Sequence, residues 1–430
     1  MDFIDDHFSK KQARTVVFAV TLGNLLEWYE IYLYVYWAPI ISHLFFENAS
    51  VTANLTHTFL IFGVGFLARP IGGIVFGRIG DRIGRRKALI LSIIMMTIPT
   101  FVTGFLPTYA MIGVSAPYIL AIMRFLQAFP AGGEIPGAFC YLYESFPWRV
   151  RHYMCSWAVW GYQIGIFIST VECFLLGKYL SPEDLMQWGW RASFIVGGVL
   201  GLFGLVLRHR LHETPLFREM LTHTKITKEP ITQVIRNNRK RIFQGILFCA
   251  MNSSTFYLLS IHFPSYFGKT FNLNNQDNLI ITMIILLLIT VTLPLFGKLA
   301  DHHSNAKMLL LSVFGMVALI YPLYLAVEFA SIPYTIIVMT AFCLLYTCTS
   351  ALIPYIVSDL FSTHDRFTCT GLSFNLADSI IGGFTPVAAL WLLQITNEPF
   401  SFAWILLFVA GLSFLGYLYL KPRRTPKHHT

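Results

Sequence analysis

Residues 77–87 read Gly-Arg-Ile-Gly-Asp-Arg-Ile-Gly-Arg-Arg-Lys and lie between the apolar runs 59–76 and 88–106. This stretch packs five cations and one carboxylate into eleven residues. Loops rich in Lys and Arg stay on the cytoplasmic side of a membrane. We therefore expect two membrane helices joined by a structured cytoplasmic loop.

The whole chain has the composition of a protein that crosses the membrane many times. Of its 430 residues, 55% are hydrophobic and only 12% are charged, and the mean hydropathy is +0.61. An apolar stretch of about 18 residues or more can cross the bilayer as a helix, and the lipid leaves few other structures possible. Twelve such stretches lie near 15–44, 57–77, 88–106, 115–142, 153–176, 190–207, 242–267, 278–297, 307–327, 333–357, 370–394 and 400–420.

The cations predict the orientation of these spans. If both termini are cytoplasmic, all but five of the 31 Lys and Arg residues fall in the tails or the cytoplasmic connections. The five exceptions are Lys178, Lys269, Arg69, Arg124 and Arg191. The net charge of +9 then matches anionic lipid headgroups, so we expect membrane lipid as a partner and no nucleic acid.

The longest polar connection, 208–241, divides the spans six and six. The pattern Gly77-x-x-x-Asp81 followed by Lys87 recurs as Gly297-x-x-x-Asp301 followed by Lys307, which suggests a duplication. We predict an all-α membrane protein with an N-terminal six-helix bundle (1–207), a cytoplasmic linker (208–241), a C-terminal six-helix bundle (242–420) and a cytoplasmic tail (421–430). Two bundles that pivot about a central site are the architecture of a rocking transporter.

Several charged residues lie inside the apolar spans, where an ionisable group is a functional candidate by default. Glu27 and Glu30 are three residues apart and share one helix face. Arg69, Arg124 and Glu134 belong to the same class, as do Glu172 and Asp378. A carboxylate beside an arginine can take and lose a proton as its surroundings change, although a permanent structural ion pair is the alternative for each. We expect these charges to face a water-filled cleft between the two bundles.

Nine pieces of sequence, the stretch 77–87 among them, carry a resemblance over nearly the whole chain. They are 23–30 (GNLLEWYE), 68–73 (ARPIGG), 77–87, 124–128 (RFLQA) with 132–134 (GGE), 189–191 (GWR), 211–217 (LHETPLF), and Asn375 with 382–386 (GGFTP). Together they resemble the major facilitator superfamily, and within it the metabolite:proton symporters related to carriers of proline and betaine, citrate, α-ketoglutarate and shikimate. Three residues depart from the family pattern: Glu30, where relatives usually have Asp, and also Val35 and Ala128. The substrate of any one relative therefore cannot be assigned to this chain.

The resemblance implies that the loop signature is a conformational latch, formed here by Gly77, Asp81, Arg82, Arg85 and Arg86. Asp81 would lie against the N-terminal end of a neighbouring helix, which favours a carboxylate, and we expect this to be the eleventh. Loop charges that only set topology are the alternative. Contacts made when the cytoplasmic ends meet would stabilise the outward-open state.

The sequence favours proton-coupled uptake of a small polar metabolite such as an organic acid, amino acid or betaine. We assign proton coupling to Glu30, Glu27, Arg124 and Glu134. Guanidinium groups hold carboxylates and aromatic rings hold cationic groups. The predicted substrate-binding residues are accordingly Arg69, Arg124, Trp28, Tyr32, Gln127, Gln163, Asn252 and Asn375.

Other functions fit the sequence less well. The alternatives are a proton-driven exporter and a sensor with a transporter fold that moves no substrate. An enzyme is disfavoured because no nucleophile, phosphate loop or metal-ligand spacing stands in a suitable context, so we expect neither metal nor cofactor. We expect a monomer that spans the bacterial inner membrane.

Overall fold

The computed structural model describes residues 10–47, 51–223, 229–273, 275–329, 331–398 and 400–418. The predicted tail at 421–430 lies outside the described residues. Within them we label the long helices in chain order: α1 (Lys10–Phe45), α2 (Val51–Ile83), α3 (Arg85–Thr103), α4 (Ser115–Ser145), α5 (Arg151–Tyr179), α6 (Trp190–His209), α7 (Ile231–Tyr257), α8 (Asn275–His302), α9 (Asn305–Ala318), α10 (Ile332–Asp359), α11 (Arg366–Leu376) and α12 (Phe402–Leu418).

Short segments extend several of these helices, and a π-helical turn, Leu185–Gly189, leads into α6. A second π-helical turn, Leu258–His262, continues α7 into the helix Phe263–Thr270, and a third π-helical turn, Ala377–Gly382, continues α11 into Gly383–Thr396. Ile320–Glu328 follows α9 directly. The described residues contain no β-strand.

Each predicted span coincides with helical structure, because backbone groups in lipid must be satisfied within their own segment. In the described part of the chain, ten helices are long and apolar enough to cross a membrane. Helix α4 has 31 residues, and α12 is a shorter apolar helix of 17 residues. The protein is therefore a multi-pass membrane protein.

The helices are polar inside and apolar outside. Large apolar side chains such as Leu67, Ile284 and Trp404 are 69%, 62% and 67% exposed, whereas Glu27 and Arg69 are buried. A surface this apolar needs a lipid solvent, and buried charges need partners. Polar chemistry is thus concentrated between the helices.

Several helix pairs connect the first half of the chain (10–209) to the second half (231–418). Helix α2 packs along α11, and α5 packs along α8. In addition, α5 contacts α10, and α4 contacts both α10 and α11. Within the first half, α1 packs on α5, α2 on α4, and α3 on α4 and α6.

The predicted linker differs from the structure at both edges. Arg208 lies in the last turn of α6, and α7 begins at Ile231, eleven residues before the predicted span. The early start follows from Val234, Asn238 and Ile242, which are buried and four residues apart on one helix face. A short helix, Pro215–His223, lies between α6 and α7.

Candidate functional site

Arg69 of α2 lies between two carboxylates from different halves of the chain. Its Nη2 donates to Oε1 of Glu27 on α1, and its Nη1 lies 3.1 Å from Oδ2 of Asp378 in the π-helical turn after α11. The hydroxyl of Tyr257 on α7 donates to the same Asp378 oxygen at 3.4 Å. Glu27, Arg69 and Asp378 are only 1%, 2% and 4% exposed. This triad is an ion-pair link between the two halves.

A second ion pair lies wholly within the first half. Nη1 of Arg124 is 3.2 Å from Oε1 of Glu30 and donates to Oε1 of Gln127 at 2.9 Å. The hydroxyl of Thr100 donates to Glu30 and accepts from Nε2 of Gln127 at 3.2 Å. The guanidinium carbon of Arg124 stands 4.3 Å from the centre of the Tyr34 ring. Glu30 and Arg124, which the sequence assigns to proton coupling without pairing them, therefore form an ion pair.

The two networks line one cavity, to which Glu27, Glu30, Arg69, Arg124 and Gln127 all contribute. Its volume, measured as the space open to the centres of water molecules, is about 20 Å³. One water needs about 10–15 Å³ on that measure, so the cavity holds about one water and no metabolite. Among the described residues, the charged side chains therefore do not face the expected water-filled cleft in this conformation, because they pair with one another.

Aromatic rings from both halves meet beside the triad. Trp28 of α1 lies 5.4 Å from Tyr162 of α5 and 5.1 Å from Phe256 of α7, centre to centre. Tyr32, one helical turn from Trp28, stands 6.1 Å from it. The guanidinium carbon of Arg69 lies 5.3 Å from the Trp28 ring centre. The rings form a wall that could hold a cationic group.

Several buried polar atoms at this interface have no partner among the described residues. They include Nε1 of Trp28, Oε2 of Glu27 and both amide atoms of Gln163. Gln163 lines a separate small cavity with Phe256 and Tyr346. Unpartnered buried polar groups are rare in folded proteins and mark places where water or a ligand can bind.

The two predicted asparagines already have protein partners. Oδ1 of Asn252 accepts from Ser350 at 2.5 Å within the second half. Nδ2 of Asn375 donates to the carbonyl oxygen of Gly132 at 2.6 Å, across the two halves. A side-chain amide has two donors and two acceptor positions, so these bonds occupy only part of the hydrogen-bonding capacity of each asparagine.

Glu134 lies in a third network, away from the cavity lining. Both of its oxygens accept from Arg208, one of them at 2.8 Å from Nη1, and Ser92 donates to it at 2.6 Å. Arg208 also donates to the carbonyl oxygen of Leu89 at 2.6 Å. Glu134 and Arg208 are completely buried. This geometry favours the permanent ion pair for Glu134 over a proton-carrying role.

Asp81 caps the N-terminal end of α11. Its Oδ1 accepts from the backbone N–H of Phe367 at 3.1 Å, and its Oδ2 accepts from that of Thr368 at 2.9 Å. The first N–H groups of a helix lack partners within the helix and carry partial positive charge. The contact joins the end of α2 to the second half of the chain, at the helix predicted from the sequence.

Arg85 connects this contact to a buried carboxylate, Glu144, at the end of α4. Its Nε and Nη2 lie 2.9 Å and 3.0 Å from the two oxygens of Glu144. Arg366 of α11 donates to Glu144 at 2.6 Å, and Thr214 donates to it at 2.7 Å. One carboxylate from the first half thus holds an arginine from each half.

Arg86 and Arg82 behave differently from Arg85. The side chain of Arg86 donates to the carbonyl oxygen of His209 at 2.8 Å, and its backbone N–H donates to Glu213. Glu213 also accepts from the N–H of Arg85 at 3.0 Å, and its burial raises the pKa of its carboxyl. Arg82 is exposed and reaches the carbonyl oxygen of Glu229 at 3.4 Å. Arg85 is therefore central to the predicted latch, and Arg82 is peripheral.

Comparison with known proteins identifies the family. The sequence profile of the Major Facilitator Superfamily matches residues 20–386. The chain belongs to the major facilitator superfamily. Because one fold can serve many functions, the function of this chain has to be argued from its site.

Relatives in the superfamily are named as transporters. A Staphylococcus aureus (strain COL) protein, provisionally named a proline/betaine transporter, is 33% identical over 98% of this chain and 91% of its own length. The citrate-proton symporter of Klebsiella pneumoniae is 31% identical over 95% and 91%. The E. coli proton:xylose symporter XylE, bound to 6-bromo-6-deoxy-D-glucose, superposes with a TM-score of 0.77 at 16% identity over 96% of both chains. The chain thus belongs to a superfamily of membrane transporters.

The repeated pattern of this superfamily member forms the same contact twice. Asp301 at the end of α8 accepts from the N–H of His152 at 2.9 Å and from that of Tyr153 at 3.3 Å, in the first turn of α5. Nδ1 of His152 lies 3.2 Å from Asp301 as well. Asp81 and Asp301 therefore each cap a helix of the opposite half.

Sequence reasoning missed four residues of these networks: Asp378 as the partner of Arg69, Arg208 as the partner of Glu134, and Glu144 and Arg366 beside Arg85. Glu144 follows the predicted end of its span by two residues, and Arg208 follows its own by one. Charges at the margin of an apolar run look like solvated surface groups, and only their burial in the structure shows otherwise.

Proposed function

We propose that the protein takes up a small polar metabolite together with protons, by alternating access between two six-helix halves. One observation carries the proposal: Glu27, Arg69, Glu30 and Arg124 line one cavity in the first half of the chain, and Asp378 of the second half pairs with the same Arg69. Buried charges of this kind are expensive in a membrane and are kept for ion and substrate pathways.

The proposed topology has twelve spans with both termini in the cytoplasm. Ten apolar helices of sufficient length, with α4 and α12, make up this number, and the positions of the cations support the orientation. The relatives named above are bacterial, which supports a place in the bacterial inner membrane. We propose a monomer, since each half supplies residues to the same site.

In the proposed mechanism, Glu30 and Glu27 carry the proton, while Arg69 and Arg124 attract the substrate's carboxylate. Each arginine is held by a carboxylate in the closed site. Protonation of that carboxylate frees guanidinium donors for the substrate. Proton binding and substrate binding then support each other, which is the requirement for symport.

The charges of the closed site favour a zwitterion over a polyanion. Two guanidinium groups face three carboxylates, Glu27, Glu30 and Asp378, so one proton brings the site to neutrality. A zwitterion keeps that balance, whereas a tricarboxylate adds several uncompensated negative charges to a buried site. The wall of Trp28, Tyr162 and Phe256 would take the cationic group. The name of the staphylococcal relative agrees with this preference.

Reconstitution into liposomes tests the proposal. With an inward proton gradient imposed, the vesicles are given labelled betaines, amino acids, and mono-, di- and tricarboxylates while a trapped dye records internal pH. We expect a zwitterion to accumulate, with acidification of the interior beyond that of protein-free vesicles. A protonophore should abolish both signals. Accumulation that is the same with and without the proton gradient would contradict proton-coupled uptake. So would movement of substrate out of the vesicles while protons enter.

A further inference from the structure

A single face of α2 runs from the cavity to the helix cap. Arg69, Gly73, Gly77 and Asp81 are spaced four residues apart and therefore share one side of the helix. Each of them contacts the second half: Arg69 meets Asp378, Gly73 meets Asn375 and Gly371, Gly77 meets Thr368, and Asp81 meets Phe367 and Thr368. We call this set of contacts the α2–α11 seam.

The middle of the seam has little room to adjust. A Cβ on Gly73 would stand 2.6 Å from Nδ2 of Asn375, and one on Gly77 would stand 2.9 Å from the backbone nitrogen of Thr368. Backbones this close move together, because packed interfaces switch between discrete arrangements and do not deform gradually. Events at one end of the seam, at Asp378, can therefore bias the other end, at Asp81.

We propose that Asp378 is a proton-operated tie between the halves: when it is ionised it holds Arg69 and keeps the seam closed, and when it is protonated it releases Arg69 and the seam can open. This assignment rests on the transport function proposed above and adds a third carboxylate to it. The proton binds Oδ2 of Asp378, the oxygen that faces Arg69. Arg69 keeps its ion pair with Glu27, so no buried cation is left without a partner.

The surroundings of Asp378 suit such a role. It is 4% exposed and lies in a π-helical turn, a distortion often found at functional sites. The hydroxyl of Tyr257 can turn to accept a proton from the acid form, since it acts as donor or acceptor. The ionisable groups around Asp378 are Arg69, Glu27, Tyr257, Tyr32, Tyr162, Tyr346 and Cys249. Only Arg69 among them is a cation.

Glu27 and Asp378 compete for the guanidinium of Arg69. Neutralising one of them should therefore have the opposite effect on seam opening from neutralising the other. Neutralising Asp378 should break the tie, whereas neutralising Glu27 should leave Arg69 entirely to Asp378 and strengthen it. The two changes alter the site's charge equally. A general loss of ion pairing would shift both variants in one direction.

The native Cys140 reports opening of the seam. It is completely buried on α4 and packs against Ala88 and against Phe367, the residue held by Asp81. Purified wild type, Asp378→Asn, Asp378→Glu and Glu27→Gln are treated with N-ethylmaleimide at pH 8 and pH 5.5. The alkylation rate of Cys140 is then read by peptide mass spectrometry. Each variant is compared with wild type at the same pH, so that the pH dependence of thiol chemistry cancels.

At pH 8 we expect Asp378→Asn to alkylate about tenfold faster than wild type, the effect of losing one charge-assisted hydrogen bond. This ratio should fall towards one at pH 5.5. Asp378→Glu should stay near the wild-type rate, and Glu27→Gln should be slower than wild type. Equal rates for Asp378→Asn and wild type at pH 8 would overturn the tie, as would acceleration in both neutral variants.

The outcome separates this inference from the proposed function. If wild-type vesicles accumulate substrate under a proton gradient while Asp378→Asn behaves as wild type in both assays, the tie is wrong and symport stands. If the opposite-sign alkylation pattern appears but no gradient-driven uptake occurs, the tie stands and the proposed function fails. Size-exclusion profiles identify a misfolded variant. If Asp378→Asn misfolds, Glu27→Gln still tests the proposal, because its Cys140 should alkylate more slowly than that of wild type.

Discussion

The substitution Asp81→Asn should open the end of the protein where α2 meets α11. Asn keeps one oxygen and replaces the other with an NH₂ donor, so it can accept from only one of the N–H groups of Phe367 and Thr368. The second N–H then faces another donor. The negative charge at the start of α11 and its attraction to Arg85, 3.5 Å away, are lost as well.

The size of the effect follows from these contacts. A hydrogen bond to a charged group contributes about 1.5–3 kcal/mol, and a charge at a helix end contributes about 0.3–1 kcal/mol, rising to ~2 when it is partly buried. Because the terms overlap, we take about 2–3 kcal/mol for the whole change. At 1.4 kcal/mol per factor of ten, the ratio of open to closed protein rises about 30-fold to 150-fold.

Alkylation of Cys140 measures this ratio, because Cys140 is covered by Phe367 in the closed state. Asp81→Asn should accelerate it by at least about tenfold and reduce gradient-driven accumulation. Lys87→Gln, an exposed charge change in the first turn of α3, is the control and should alkylate as wild type does. If Asp81→Asn leaves Cys140 as protected as in the wild type, Asp81 only sets topology and the latch assignment is wrong.

Three further predictions concern neighbouring contacts. Glu134→Gln and Arg208→Gln should each lower the melting temperature of the purified protein, since each leaves a buried charge unpaired at a cost of about 3–5 kcal/mol. The double variant should recover part of the loss. A Glu134→Gln protein that is stable but transports substrate without protons would show that Glu134 is a proton carrier after all. Glu144→Gln should likewise destabilise the closed state, because Arg85 and Arg366 lose their shared carboxylate, and unchanged melting and Cys140 protection would count against that network. Gly77→Ala should accelerate Cys140 alkylation more than its counterpart Gly297→Ala. The new Cβ at position 77 meets the backbone of Thr368, with Cα at 2.5 Å, next to Phe367, whereas at position 297 it meets the side chain of Ser156, with Oγ at 2.4 Å, and the backbone of Tyr153 only at 3.2 Å. The reverse order would disprove the packing argument.

Much of the fold could be predicted from the sequence. The apolar runs mark the spans because lipid imposes length and helicity on them. The repeated Gly77/Asp81 and Gly297/Asp301 patterns suggest a duplication, and in the structure both aspartates lie at helix N-termini. The capping role of Asp81 was predictable because a carboxylate in a cationic loop needs donors, and a helix that starts on that side supplies them.

The pairing of the buried charges could not be predicted in full. The sequence places Glu30, Arg124, Arg69 and Asp378 inside apolar spans, but it does not say which carboxylate meets which arginine. The contact of Arg69 with Asp378, for example, depends on the register of two helices whose residues are 309 positions apart. Arg208 and Glu144 lie at helix ends, where sequence gives no sign of burial. The closed state of the cavity could not be predicted either. The sequence is compatible with several conformations, and their relative free energies do not follow from residue patterns.

Simultaneous recording of substrate uptake and internal pH in liposomes, for wild type and Glu30→Gln, tests the central claim most directly. Glu30→Gln keeps the size of the side chain and a hydrogen-bond acceptor for Arg124, but it cannot exchange a proton. We expect wild-type vesicles to accumulate substrate and acidify, and Glu30→Gln vesicles to exchange labelled for unlabelled substrate without accumulation or acidification. If Glu30→Gln vesicles accumulate substrate and acidify to the same extent as wild-type vesicles, that result contradicts the account.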